Sequence, residues 1–524
     1  MNKRGIKILF LAVLMPFAAW SGGIVTNTNQ SASFIRKPVQ DAVIDATGTY
    51  YNPAGLAFLR DGFHLSVSNQ TILQNRKISS TFPNMHYMEG FEEYPEFWEY
   101  EGNVRAPLFP TFYAVYKTGP LAFSLGVNPI GGGGTANFEE GLPSFEQQVA
   151  GLPPGLTAAG INTTAYSMDA AFDGSSLNWG VQLNASYAFN EFFAVSLGAR
   201  FITATNTYKG HLRDIMINPM HPLNSNGPGN MVSAPLFFGT VAFAANSAVQ
   251  QLQPIIDNDA GHLTLAQLVG IGALTQEQAD QLAGGLGGNY NPEMPVSQIQ
   301  TAYAGIATLM NENAQETQDR ELDAKQTGWG IAPVLGINIR FSDELNMAVK
   351  YEHRASITMT NSTTVDDVGM YPDEAEVAND MPSMISLGLN YRPIRALSLS
   401  AGMHYYFDRS ADYGKTLPND QIIDNNFIEL GFGVEYFFDN GFSISTGYLR
   451  TQTGANDRFH SDLSHSLSTN SIGIGGSYRF NPNMAVNFGF MNTMYEAYTK
   501  TFNGFSETYD RSAIVFAVGM DFRF

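Results

Sequence analysis

The sequence predicts an all-β protein: an antiparallel transmembrane β-barrel of about fourteen strands, with an N-terminal hatch inside the lumen and a helical extracellular insertion. Three observations carry this. Segment after segment alternates apolar and polar residues with period two, each over the ~9–11 residues that a tilted strand needs to cross a bilayer. The connections between them are by turns very short and long, the asymmetry of barrels with tight inner turns and long outer loops. The composition is aromatic and weakly charged, with 37 Phe, 24 Tyr and 51 Gly but only 15% charged residues.

Composition also excludes much. With 44% hydrophobic residues the 524-residue chain is no disordered acidic polymer. The absence of Cys removes disulfide scaffolds, thiolate metal sites and Cys nucleophiles. A net charge of -20 argues against nucleic acid, which demands clustered Lys and Arg. A long uninterrupted apolar run occurs only near the N-terminus, so a bundle of spanning helices is excluded. That run, residues 8–19, follows Lys3, Arg4 and Lys7 and precedes Ala19-Trp20-Ser21. It reads as a signal peptide over residues 1–21, cleaved after Ser21, and the protein is expected to be exported.

The barrel is expected over residues 62–524. Its clearest strand carries Leu177, Trp179, Val181, Leu183, Ala185, Tyr187 and Phe189, turns at Asn190-Glu191, and resumes as Phe193, Val195, Leu197, Ala199 and Phe201. Further strands follow from Trp329, Leu345, Ile385 and Ile428, and the last ends at Phe524. The opposite parity tests the reading. If Leu197, Ala199 and Phe201 face lipid, then Arg200 faces the lumen, as do Arg340, Lys350, Glu352, Arg354, Glu429 and Glu435 by the same rule. Lipid cannot solvate charge, so confinement of these groups to one face is required in a barrel. A soluble β-sandwich or propeller would alternate too, but with its charges on the outside.

Residues 22–61 do not alternate, and the lumen is their natural place as a hatch. Asn52 before Pro53 reads as a helix start, with Asn as cap and Pro at the first helical position. The triplet Asn52-Pro53-Ala54, the Asn/Ser-rich segment before it, the leader, the strand count and the terminal Phe together resemble the long-chain fatty acid transporter family (FadL-type, including aromatic-hydrocarbon transporters) over essentially the whole mature chain. The resemblance implies a monomeric outer-membrane barrel of a Gram-negative-type bacterium, closed by its hatch. Such a barrel takes up hydrophobic small molecules, fatty acids or other lipids and hydrocarbons, and releases them sideways through a gap in the wall.

The sequence offers parts for each step. After Leu121, Phe123, Leu125 and Val127 the third strand meets Asn128, Pro129, Ile130, then Gly131, Gly132, Gly133 and Gly134. Pro129 removes a ladder donor and the glycines supply no packing side chains, which marks a lateral opening or, more plainly, the start of a loop. The long insertion, 211–326, holds Val296, Ile299, Tyr303, Ile306 and Met310 at helical spacing, an apolar stripe for helix packing or for substrate capture. Thr275 and Gln278 form a capping box. Phe91, Tyr94, Phe97, Trp98 and Tyr100 populate the first long loop. A carboxylate substrate would seek Arg200, Arg340, Lys350 or Arg354, unless these pair with Glu352, Glu429 and Glu435 across the lumen.

No cofactor is expected and no enzyme activity. The Gly131 run is not followed by Lys-Ser/Thr, so it is no phosphate loop. His460 and His465 lack a third metal ligand in their loop, and no Gly-x-Ser-x-Gly elbow occurs. Two other readings remain at this point: a general water-filled porin, and a surface adhesin barrel whose loops bind a partner.

Overall fold

The structure, a computed structural model, describes residues 24–86 and 97–524; the expected leader, Phe91 and Tyr94 lie outside them. The fold is a closed barrel of 14 antiparallel strands. In chain order these are β1 (Gly62–Ser80), β2 (Trp98–Thr118), β3 (Leu121–Phe138), β4 (Tyr166–Ala188), β5 (Phe193–Ile217), β6 (Arg320–Arg340) and β7 (Leu345–Glu352, continued by Thr358–Asp366). They continue as β8 (Glu376–Ala378, continued by Met384–Ile394), β9 (Leu397–Tyr406), β10 (Ile428–Phe437), β11 (Phe442–Gln452), β12 (Thr469–Asn481), β13 (Met484–Tyr495, continued by Tyr498–Thr501) and β14 (Ser506–Arg523). Every strand pairs with its chain neighbours, and β14 closes on β1 from His64↔Arg523 to Ser80↔Glu507. Closure leaves no edge, which lipid requires because it cannot satisfy free backbone groups.

Side chains divide as the alternation predicts. On β5, Leu197 and Phe201 are 65% and 43% exposed on the outer face, whereas Arg200 between them is 2% exposed and lies in the lumen. Lys350, Glu352, Glu429 and Glu435 are likewise buried inside. Arg354 is the exception and corrects the parity reading. Its strand gains one residue opposite Pro333: the pairing runs Val334↔Glu352 on one side and Trp329↔Thr358 on the other. Pro333 has no N–H to offer, and His353 N bonds its carbonyl at 2.9 Å instead. The bulge turns Ala355, Ile357 and Met359 inward and leaves Arg354 outside, against Asp380 at 3.6 Å.

The strands outrun the membrane. β3 runs on to Phe138, well past Val127, and β2 begins at Trp98, so Trp98 and Tyr100 belong to β2 rather than to a loop. Similarly, β5 runs to Ile217 and β6 begins at Arg320, which trims the expected 211–326 insertion to residues 218–319. Above the bilayer, polar residues at lipid-face parity carry no penalty, and the alternation loses its hydrophobic signature there.

The N-terminal segment fills the lower lumen through α1 (Ala32–Arg36), α2 (Gly48–Tyr51) and a 3₁₀ turn (Pro53–Phe58). Outside, α3 (Pro143–Ala150) and α4 (Leu152–Ala158) follow β3. The insertion adds α5 (Ala234–Asp257), α6 (Leu265–Gly270), α7 (Gln276–Leu286) and α8 (Val296–Glu316). Thr275 and Gln278 make the expected capping box on α7, and Thr264 and Gln267 make a second on α6. From Asp214 to Asp319 the chain has no Lys or Arg.

Placing a cation on the outer face at the bilayer midplane costs about 2–4 kcal/mol. Phe201→Arg is expected to lower unfolding stability in lipid vesicles by that order, measured by urea titration, while the lumen-facing Ser196→Thr leaves it nearly unchanged.

Candidate functional site

Three features compose the site: a polar plug, a defect in the wall and an apolar pocket above them. The plug is polar yet buried, so each group in it must find a partner. Asn52 does so twice. Its side chain accepts from Gly55 N at 3.1 Å, capping the 3₁₀ turn that Pro53 opens, and donates to Asn338 Oδ1 on β6 at 2.7 Å. Asn338 and Asn346 continue the chain of amides to the Ala42 carbonyl. Ser186 Oγ donates to the Pro53 carbonyl at 2.7 Å, and Ala54 lies wholly buried against Gly336. The expected start is thus present, as a 3₁₀ turn rather than an α-helix.

Charge fastens the plug to the wall. Arg36 Nη1 and Lys37 Nζ meet the two oxygens of Glu435 at 2.7 and 3.2 Å. His404 donates from Nε2 to Asp41 at 2.7 Å and from Nδ1 to Glu429 at 2.8 Å, a geometry that requires both ring protons. Arg200 pairs with Glu352 and also lies 4.7 Å from the Tyr50 ring centroid. Lys350 Nζ sits 4.5 Å from the same centroid and donates to the Tyr50 carbonyl at 2.9 Å. Arg340 stands over Phe58. The lumen cations thus grip the plug and the lumen acids.

The wall defect lies between β2 and β3. Their ladder pairs Gly102–Val104 with Ala136–Phe138, then stops, and resumes only at Phe112↔Val127. Residues 105–111 and 128–135 do not pair with each other. Pro129 has no N–H, and Gly132, Gly133 and Gly134 hold φ of 68°, 145° and 82°, a left-handed conformation that side chains resist. The strand consequently folds inward, and 128–133 are all buried. The plug's own N-terminus takes the missing strand's place: Asn27 N donates to the Ile130 carbonyl at 2.7 Å, and Asn128 Nδ2 to Gln30 Oε1 at 2.6 Å. A Cβ on Gly131 would overlap the Val25 carbonyl. Sequence reasoning singled out Pro129 and the glycines but not Val25, Asn27 and Gln30.

Above the plug, an open pocket is lined mainly by Phe145, Phe172, Leu212, Leu322, Met370 and Tyr371, with Gln148, His211, Arg320 and Glu321 also in its wall. Gly210 leaves room in its wall, and Tyr371 stacks on Tyr208 at 4.7 Å. The expected stripe on α8 does not reach it. Val296, Ile299 and Tyr303 are buried with α5, α6 and α7, Ile306 is partly buried beside them, and Tyr303 Oη donates to the Leu282 carbonyl at 2.8 Å. Met310 packs against the cluster around the upper strands. Val296, Ile299 and Tyr303 belong to the helical core of the insertion.

The sequence matches no family model and no characterised protein sequence. Solved structures do match. One is a FadL homologue of Pseudomonas aeruginosa, with a TM-score of 0.57 at 12% identity, covering 96% of this chain and 99% of that one. This is the FadL fold. The Pseudomonas putida toluene transporter TodX aligns with a TM-score of 0.51 at 12% identity over 96% of this chain and 100% of its own. A TodX deltaS2S3 mutant, named as a monoaromatic hydrocarbon channel, aligns at 0.52, again with 12% identity, over 94% and 99%. At such identity the likeness speaks for the FadL-type barrel architecture alone.

Two outcomes follow. Asn52→Ala unsatisfies buried partners at about 1–3 kcal/mol, so hydrogen exchange in the 3₁₀ turn should quicken while the strands stay protected. In the outer loop 453–468, burial and then Lys500 hold the His460 imidazole down at about 4, from its ordinary 6.5. The opened loop binds a proton that the packed loop refuses, so packing should weaken as pH falls from about 6.5 towards about 4. His460→Gln should reduce that dependence in exchange measured across the loop, the remainder coming from His465, which is lowered in the same sense.

Proposed function

We propose that the chain carries hydrophobic molecules passively across the outer membrane: capture in the outer pocket, rearrangement of the N-terminal hatch, and lateral release between β2 and β3. The observation that carries this reading is the stoppered gap. Unpaired strand backbone in a wall facing lipid is costly, and here it is relieved by the N-terminal segment of the plug rather than by a neighbouring strand. A water-filled porin needs neither a gap nor a stopper. The pocket above has the apolar lining that fatty acids, lipids or hydrocarbons demand, and TodX, whose fold this chain shares, is named a toluene transporter.

In this reading Asn52, Pro53 and Ala54 anchor the hatch, while Pro129 and Gly131, Gly132, Gly133 and Gly134 shape the exit. The driving force is partitioning from water into the pocket and from the pocket into lipid, with the gap avoiding the polar outer leaflet.

The chain contains no Cys, so Asn27→Cys combined with Ile130→Cys gives one unambiguous crosslink. Oxidation is expected to stop uptake of a hydrophobic probe by cells, and reduction to restore it. Undiminished uptake with the crosslink formed would dispose of release through this gap.

A further inference from the structure

A regular strand turns successive side chains to opposite faces, so only one of two neighbours can meet lipid. The bulge opposite Pro333 breaks that rule. His353 and Arg354 are adjacent in sequence and both exposed, with Glu352 buried before them and Ala355 buried after. Tyr351, paired with the outward Leu335, holds its hydroxyl 2.8 Å from His353 Nδ1, which places His353 on the outer wall with Arg354.

The register fixes their depth. Glu352 pairs with Val334 and Thr358 with Trp329, so Arg354 lies between those two levels. Ile331 and Trp329 are exposed apolar side chains of β6 at the same height, and above Trp329 its outward positions turn polar at Thr327, Lys325 and Asp323. Arg354 therefore stands at the upper edge of the apolar band, where aromatic residues mark the passage from hydrocarbon to headgroups.

Its charge is incompletely matched there. Nη1 donates to the Ser410 carbonyl at 2.7 Å, but Nε stays 3.6 Å from Asp380 Oδ2, beyond hydrogen-bond length. Asp380 is turned to the backbone, accepting from Ile357 N and Asp412 N, both at 3.1 Å. The other acid nearby, Asp412, accepts from Gly414 N at 2.9 Å. Arg354 Nη2 has no partner among the described residues. Arg409, next in the chain to the Ser410 that Arg354 grips, is exposed, and its guanidinium has no hydrogen bond or ion pair among the described residues.

Hydrocarbon cannot solvate such a patch, and in a chain of net charge -20 it is not general surface charge. An anionic headgroup is its complement, and the forked guanidinium matches a phosphate's paired oxygens. We propose that His353, Arg354 and Arg409 form an external site for a membrane lipid bearing a phosphate monoester. The phosphate lies on the two guanidiniums, and the acyl chains run down the wall along Ile331 and Leu335. The site lies outside the barrel and does not depend on the transport reading.

The test titrates the full-length barrel, in a neutral maltoside detergent, with dipalmitoyl phosphatidic acid and with dipalmitoylglycerol, its phosphate-free counterpart. Native mass spectrometry reads the bound lipid. Wild type should bind the phosphatidic acid about tenfold more tightly, an advantage of ~1.4 kcal/mol. Arg354→Gln combined with Arg409→Gln should abolish that preference and leave diacylglycerol binding unchanged. Arg409→Gln alone, which alters an exposed side chain and leaves the bulge intact, should cost about threefold, the scale of one exposed charge pair. Lys325→Gln, higher on the outer face of β6, should change nothing. Equal binding of the two lipids by the wild type, or a preference that survives both Gln substitutions, would overturn the site. An equal loss on Lys325→Gln would overturn its location. Displacement of phosphatidic acid by inorganic phosphate at the same concentration would overturn the lipid as its occupant.

Discussion

Lipid offers a peptide group no hydrogen bond, and that constraint organises the molecule. It demands closure of β14 on β1, confines charge to the inner face, and makes an unpaired stretch of wall tolerable only if something else covers it. The break between β2 and β3 is such a stretch, and the segment around Val25, Asn27 and Gln30 covers it from within. The seal of the wall and the N-terminal end of the plug thus coincide in a few residues.

The same constraint explains the chemistry of the plug. A polar body inside the membrane is stable only when its groups are paired, and here they pair with the wall through amides at Asn52, Asn338 and Asn346, through Glu435 beneath Arg36 and Lys37, and through His404 between two carboxylates. Removing one partner of a buried charge costs far more than the pair contributes. The plug therefore holds its place by many moderate links.

Much of this was legible in the chain. Period-two alternation gave the strands and their inner and outer faces because the two solvents differ so sharply, and Asn52-Pro53 and the glycines after Pro129 announced a helical start and a defect. What stayed hidden has physical reasons. Above the bilayer both faces of a strand meet protein or water, so β5 and β6 ran past their apparent ends. One extra residue opposite Pro333 reversed the parity that placed Arg354 inside, and a bulge leaves no trace in composition. The stripe on α8 was correctly periodic, but periodicity shows only that a face is covered, and here other helices cover it. The pocket did leave a signal: Phe172, Leu212 and Leu322 are apolar at lumen parity, where polar residues are the rule lower down.

The helical insertion carries only acidic charges between Arg213 and Arg320. A protease that cleaves after basic residues has no cutting point anywhere in that stretch, however far the helices project from the cell. The helical insertion is by composition invisible to such an enzyme, and digestion would release it as one uncut piece.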